Sequence, residues 1–521
     1  MTENANEAAG SGKSGFSRGL AGLTAAGLLT KALGYVRDAL LVAVFGGGAL
    51  TDAYYAAFRL VNVFRRTAGE GALNAVFIPR LEQEKLKGPE RAAAFFSASW
   101  TAVLVFSALL AAAGILFREQ FALLTAWGFR SDPKKFALTA FLAAVLMPHL
   151  LFVNVSALFT AALNSARRFF LPALAPAAFS LTVIAMLLAL RSGYLYRLDD
   201  LSKLVALTAA ASASGLLQAL LLLPQLLSAG YGLRFANPLK DLTAGPALLA
   251  AAPAAVTLAQ DQVSLLIGTF FASFLPAGSI TAIYNAARLA QFPVSLFAAS
   301  AAALSLPELS GRHAAGDYAG YRGHLKDAMA ASWLILLPAA AGVIATALPV
   351  CRALFEHGHF TREAAGVTAS ALAWLAVGLP AYGVNKVAAS SLYARGRQKA
   401  PLVIITGQLL LNAALCAALM RPMGAGGLML ATSLSSWAAA IAFLYELSRL
   451  SGFSPLSLPL GRPALCAAAS AAAAFALVRA LDSYGPLAVT AAAVPAAVLV
   501  YFAGLRALGV AERRLLTGGR F

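Results

Sequence analysis

Charge is what this sequence has least of. Only 12% of its 521 residues are Asp, Glu, Lys or Arg, about half the share found in soluble domains. Hydrophobic residues make up 60%, and the mean hydropathy is +0.75. A soluble globular enzyme and a disordered chain are both excluded. Cysteine is nearly absent too. Cys351, Cys416 and Cys466 are odd in number, lack metal-like spacing and sit in apolar sequence. They read as small core residues, which rules out a disulfide scaffold. There is no nucleophile elbow, Walker motif, HExxH or pair of carboxylates on an aqueous loop. The longest loops, about twenty residues, are too short for a catalytic domain. The chain is therefore expected not to be an enzyme, and to need no metal or other cofactor. Residues 1–18 are polar and no cleavable signal peptide follows them.

What remains is apolar sequence, in runs long enough to cross a bilayer at about 20 residues each. Fourteen are read, at 19–44, 52–80, 93–118, 136–163, 170–190, 203–228, 246–275, 279–304, 328–350, 364–393, 400–420, 425–448, 463–480 and 485–508. The expected fold is all-α and polytopic. Lys+Arg exceeds Asp+Glu by 40 to 22. In a soluble protein that excess would suggest nucleic acid; in a membrane protein part of it is topology. With the N-terminus inside, cytoplasmic segments hold 22 of the 40 cations, outer loops 11, and the spans the remaining seven. The bias places both termini in the cytoplasm.

The chain also repeats itself. Gly48-Ala-Leu-Thr-Asp-Ala-Tyr54-Tyr-Ala-Ala57 aligns with Gly278-Ser-Ile-Thr-Ala-Ile-Tyr284-Asn-Ala-Ala287 at an offset of 230. Arg59-Leu60 then answers Arg288-Leu289, Ile78-Pro79-Arg80-Leu81 answers Leu306-Pro307-Glu308-Leu309, and Arg167 with Pro172 answers Arg397 with Pro401. Three matches in one order predict a duplication. Spans 1–6 and 7–12 form two parallel six-helix lobes, which in transporters face a central cavity. The expected organisation is a tail (1–18), an N-lobe (19–228), a linker (229–245), a C-lobe (246–450), spans 13–14 (451–508) and a second tail (509–521).

Seven cations fall inside spans: Lys31, Arg37, Arg59, Arg65, Arg66, Arg288 and Lys386. Each costs at least about 2.5–3.5 kcal/mol at the bilayer centre, so it must line a wet cavity or hold a partner. In span 1, Lys31 and Asp38 share a helix face, whereas Arg37 and Asp38 diverge by about 100°. In span 2, Arg59, Asn62, Arg66 and Glu70 form one polar stripe, and Arg66 and Glu70 can pair at i,i+4. Interhelical salt bridges and snorkelling are the structural alternatives. Four acids lie in the spans, Asp38, Asp52, Glu70 and Asp261, and Asp52 opens span 2 as an N-cap. Seven cations against four acids leave a basic cavity suited to an anion, and arginine favours carboxylate and phosphate forks. His357-Gly-His359 reads as a loop turn and His149 as a packed helix residue. Asp261 has two readings, a hydrogen-bond partner or a cation-coupling acid, and Asn412 and Thr432 could share either.

At these residues the sequence resembles a known family. Lys31-Ala-Leu-Gly-Tyr-Val-Arg37-Asp38, Phe45-Gly-Gly-Gly with Asp52-Ala-Tyr54, Phe58-Arg-Leu-Val-Asn62-Val-Phe-Arg65-Arg66, Glu70-Gly-Ala-Leu-Asn-Ala-Val-Phe-Ile-Pro79, Phe271-Ala-Ser-Phe-Leu275 with Arg288 and Phe292-Pro293, and Leu354-Phe-Glu-His-Gly-His-Phe360 are similar to the MurJ (MviN) family. These are lipid II flippases of bacterial inner membranes, within the multidrug/oligosaccharidyl-lipid/polysaccharide exporter superfamily. The resemblance runs from about residue 20 to 450. It implies alternating access that carries the undecaprenyl-diphosphate-linked peptidoglycan precursor outward for cell wall biogenesis, with membrane lipids and the cell wall machinery as partners. It implies a lipid-tail groove at spans 13–14. The family's cavity cations fall on Lys31, Arg37, Arg65 and Arg288, and its acids on Asp38, Asp52 and Glu70. The chain departs from the family pattern at Lys31, Ala287 and Gln291. Some members bind sodium where Asn412 and Thr432 match, but Gly268 and Cys416 stand where those have carboxylates. Coupling to the membrane potential or to a monovalent cation is therefore open at this stage. The alternative function is export of another polyprenyl-diphosphate-linked oligosaccharide or of drugs; a drug antiporter would more naturally carry acids.

Overall fold

The computed structural model describes residues 26–65, 73–237, 262–454, 458 and 461–510. Among them there is no strand. In lipid that is the economical solution, because a helix satisfies its own backbone hydrogen bonds. By contact the chain divides into two compact units, residues 1–45 with 53–266, and 46–52 with 267–521.

The first unit holds α1 (26–45), α2 (Ala49–Phe64) from Ala53 onward, α3 (Leu73–Leu86), α4 (Pro89–Leu116), α5 (Arg118–Ala126), α6 (Pro133–Ser165), α7 (Phe170–Leu174), α8 (Ala177–Arg191) and α9 (Asp200–Leu227). Of the span expected at 52–80, the described residues form α2 and the first part of α3, and α2 begins at Ala49 because the Gly48 carbonyl accepts the first helical N–H, that of Asp52. The connection between α4 and α6 contains the short helix α5 and a 3-10 turn, Trp127–Ser131. α6 sits centrally, packed on α4 and α9. Small residues let it do so: a Cβ on Gly215 would lie 3.0 Å from the His149 carbonyl oxygen, and one on Gly114 would overlap Met147. Lipid is as apolar as leucine, so close van der Waals packing of this kind holds helices together there. Phe77, Phe95, Phe96, Trp100, Phe159 and Leu163 fill the core beside it.

The second unit holds residues 46–52, α10 (Gln262–Ala272) from Ile267 onward, α11 (Ser279–Ala314), α12 (Tyr318–Phe355), α13 (Arg362–Ala376), α14 (Leu379–Ala394), α15 (Lys399–Ser451), α16 (Gly461–Ala480) and α17 (Pro486–Ala507). α12 is its hub, touching α11, α13, α14, α16 and α17. The expected spans 11 and 12 run together in α15, broken by a non-helical Gly424 at φ 56 and ψ −135. α16 and α17 pair through the Ser470 hydroxyl donating to the Ala497 carbonyl at 2.6 Å, and the Tyr501 hydroxyl ties them to the Leu334 carbonyl of α12 at 2.9 Å. Among the described residues eight helices are long and apolar enough to cross a membrane, or nine if the 43° bend between α13 and α14 lies within one span.

Helix starts follow the local sequence. Asp132, Asp199, Asp317 and Thr361 each accept an N–H from the first turn of α6, α9, α12 and α13; such caps are worth about 1 kcal/mol each.

Helix ends carry the clearest trace of the duplication. α6 closes with the Arg167 N–H on the Asn164 carbonyl and the Arg168 N–H on that of Leu163. α14 closes identically, Gly396 on Tyr393 and Arg397 on Leu392. Both are Schellman turns, 229 positions apart, and both need a left-handed residue. Gly396 adopts φ 69 without strain, whereas Arg167 is held at φ 57. Each turn also lends an arginine to the helix that ends beside it. Arg168 donates to the Gln225 carbonyl at 2.9 Å, and Arg395 to that of Leu450 at 2.9 Å. Nearby, Ser165 donates to Glu82 and joins α6 to α3, and that hydrogen bond holds the Glu82 carboxyl below the usual carboxylate range.

A left-handed L-residue costs about 1 kcal/mol relative to glycine. Arg167→Gly is therefore expected to raise the thermal unfolding midpoint of the purified protein by about 2 °C. Gly396→Arg should lower it by a similar amount. Equal midpoints for all three proteins would show that the left-handed turn carries no strain.

Candidate functional site

The expected site residues of the first unit lie on two helices. On α1, Arg37 and Asp38 are both buried, at 6% and 1% exposure. Their side chains leave the helix in different directions, yet the long arginine folds back, and its Nε donates to Asp38 Oδ1 at 2.8 Å. Lys31, two turns earlier on the same helix, is exposed. On α2, Arg59 is buried. Arg65 is half-buried and donates from Nε to Asn62 Oδ1 at 2.9 Å. Arg66 and Glu70 lie outside the described residues, so their pairing is not seen. Of the polar stripe of span 2, Arg59 and Asn62 are among the described residues.

Aromatic rings pack around Arg37. The Phe179 ring of α8 lies under the guanidinium, with Cζ 4.9 Å from the ring centroid. Phe58 stacks on Phe179 at 5.5 Å, and Tyr54 on Phe58 at 6.0 Å. His149 of α6 meets the same Phe179 ring at 5.3 Å. His149 is thus the packed helix residue expected, but its partner ring was not foreseen. An apolar Phe179 in an apolar span carries no sequence signal of this contact.

Asp52 is the main correction. It is buried, and it does not cap its own helix. Its carboxylate accepts the Gly278 N–H at 2.8 Å, the Thr281 N–H at 2.9 Å and the Thr281 hydroxyl at 2.8 Å. It therefore caps α11, more than 220 residues away in the chain. The reason is geometric: once α2 begins at Ala49, Asp52 sits inside the first turn and points outward. A carboxylate so placed is stabilised by the partial positive charge of a helix N-terminus. Thr51 and Thr281, partners in the repeat, also touch each other through their hydroxyls at 3.0 Å. Residues 46–52 are packed closely here, since a Cβ on Gly46 would meet the His359 carbonyl oxygen at 2.9 Å and one on Gly278 the Gly47 carbonyl oxygen at 2.6 Å. His357 and His359 lie exposed in the loop before α13, as expected.

In the second unit Arg288 is half-buried on α11, and Lys386 is exposed on α14, its Nζ 5.9 Å from the Tyr382 ring. Asn412 and Thr432, from the two halves of α15, do come together. The Thr432 hydroxyl donates to Asn412 Oδ1 at 3.5 Å, and the Cys416 thiol approaches the same oxygen at 3.6 Å. Asp261 lies outside the described residues. Among the described residues the groups that meet here are neutral, and one is a thiol. Among the described residues no three His, Cys, Asp or Glu gather as a metal site. All three cysteines are free and buried.

Asp38 accepts from Arg37, and Asp52 from two peptide N–H groups and the Thr281 hydroxyl.

The chain is similar to known proteins over most of its length. The family model described as "Lipid II flippase MurJ" matches residues 41–493. A probable lipid II flippase MurJ of Rhizobium meliloti is 30% identical over 506 residues, covering 94% of this chain and 93% of its own. A lipid II flippase MurJ of Burkholderia cenocepacia is 30% identical over 391 residues, 74% of each chain. Among solved structures, a lipid II flippase MurJ in an inward closed conformation superposes with a TM-score of 0.76 at 22% identity, over 95% of this chain and 99% of that one. An inward-facing multidrug resistance MATE family transporter of the MOP superfamily superposes at 0.66 and 15% identity, over 82% and 96%.

Proposed function

Since the chain belongs to the lipid II flippase MurJ family, we propose that it moves the lipid-linked peptidoglycan precursor from the inner to the outer leaflet of the bacterial cytoplasmic membrane. The observation that carries this reading is the excess of intramembrane cations. In the expected spans seven cations face four acids, and Lys31, Arg37, Arg59 and Arg65 stand on two successive helices of the first unit. A diphosphate carries negative charge in a form that arginine forks bind well. Lys31, Arg37, Arg59, Arg65 and Arg66 in the first unit bind that group, Arg288 in the second unit serves the same role there, and transport proceeds by alternating access. The α16–α17 pair accommodates the polyprenyl tail. The membrane's own lipids and the enzymes of wall synthesis are its surroundings and partners, and the chain itself performs no covalent step.

Depletion of the protein tests the reading. Lipid II should vanish from the outer face, as reported by an impermeant outer-face probe, while total lipid II rises. Unchanged outer-face lipid II in fully depleted cells would overturn it, and a different polyprenyl-linked oligosaccharide accumulating inside would favour the related exporter.

Both termini are proposed to be cytoplasmic, on the strength of the cation bias. A reporter fused after Phe521 should be active only in its cytoplasmic form. Activity restricted to the outer side would reverse the topology.

A further inference from the structure

We propose that Phe179 is a positioning residue for the diphosphate-binding arginine Arg37, an inference that rests on the function proposed above. Arg37 is buried, and two groups visibly fix its guanidinium: the Asp38 carboxylate, 2.8 Å from Nε, and the face of Phe179, 4.9 Å from Cζ. The two differ in what they do to the charge. A carboxylate neutralises a guanidinium. An aromatic face attracts it through the ring quadrupole and adds no net negative charge. The ring thereby orients Arg37 without adding to the negative charge that Asp38 already supplies.

The ring itself is immobilised. Phe58 stacks on it at 5.5 Å with planes 15° apart, and His149 closes against it at 5.3 Å and 52°. Three helices, α2, α6 and α8, thus converge to fix the orientation of one cation on a fourth, α1. Without the ring, a long arginine side chain keeps its charge but samples more rotamers, and each binding event must then order it. The expected loss is about tenfold in affinity for the diphosphate-bearing lipid.

The test uses purified full-length protein in lipid nanodiscs, with lipid II as the probe. Phe179→Leu should weaken lipid II binding about tenfold and slow flipping in proteoliposomes. Phe179→Tyr, which keeps the ring, should restore both. Arg37→Ala provides the second arm, because a residue acting through Arg37 has nothing left to position once Arg37 is gone. Phe179→Leu should therefore cause no further loss in the Arg37→Ala background. If Phe179→Leu does not accumulate in membranes, Phe179→Met, similar in volume and ringless, takes its place.

Two results would overturn the inference: wild-type binding by the ringless variant, or the same loss in both backgrounds, which would make Phe179 a packing residue only. Wild-type lipid II binding by Arg37→Ala would instead overturn the proposed function of the site.

Discussion

Alanine in place of Arg37, Arg65 or Arg288, one at a time, is expected to abolish complementation of a strain depleted of its flippase while the protein still reaches the membrane. Each substitution removes a charge-assisted contact to the diphosphate worth about 1.5–3 kcal/mol. That is a loss of roughly 10- to 200-fold in binding, and essential flux does not survive it at native expression. The structure adds a refinement at Arg37. Its removal strands Asp38, which is 1% exposed, and an orphaned buried charge destabilises by about 3–5 kcal/mol. Combining Arg37→Ala with Asp38→Asn removes that stranded charge, and the double variant, like the single one, should reach the membrane and still not complement. Lys31→Arg should be tolerated, because the exposed position keeps its charge. Normal growth of all three alanine variants at native expression would refute the cationic site.

Collapsing the membrane potential is expected to stop flipping, whereas replacing sodium by potassium should have little effect. No nucleotide-binding motif is present, so the energy must come from a gradient, from the potential or from substrate supply. A diphosphate leaving an inside-negative cell gains about 2.3 kcal/mol per elementary charge per 100 mV. The cations of the site cancel part of that gain while the substrate is carried. They return it on the empty stroke, when a net-positive site is drawn back toward the negative cytoplasm. Both strokes then run with the field. Among the described residues Asn412, Thr432 and Cys416 offer a neutral donor set with hydrogen bonds among themselves. Reconstituted vesicles decide the matter. Full flipping at zero potential with an absolute need for sodium would overturn this view and return attention to Asp261, Asn412 and Thr432.

The sequence made the helices and the cations readable because both have local signatures. A run of apolar residues announces a span, and a charge inside one stands out against it. The repeat was readable for the same reason: Gly48 and Gly278 precede the starts of α2 and α11, and the turns at Arg167 and Gly396 share one pattern of backbone bonds. Asp52 was misread because an aspartate near a helix start ordinarily caps that helix. Its actual partners, Gly278 and Thr281, are distant in the chain, and only folding brings them near. Phe179 was invisible because one phenylalanine in an apolar helix looks like any other. Its role depends on which side chain lies on its face. Charges at Arg59, Arg65, Arg66 and Glu70 blurred the hydropathy of the span at 52–80 more than that of any other.

The burial of Cys351, Cys416 and Cys466, at 0%, 0% and 2% exposure, makes the native protein nearly silent toward polar thiol reagents. A cysteine introduced at Lys31, or in the exposed His357–His359 loop, would be labelled by an impermeant maleimide against almost no background. The unaltered chain is thus its own cysteine-free reference, and the side from which each position reacts can be followed through the transport cycle in living cells.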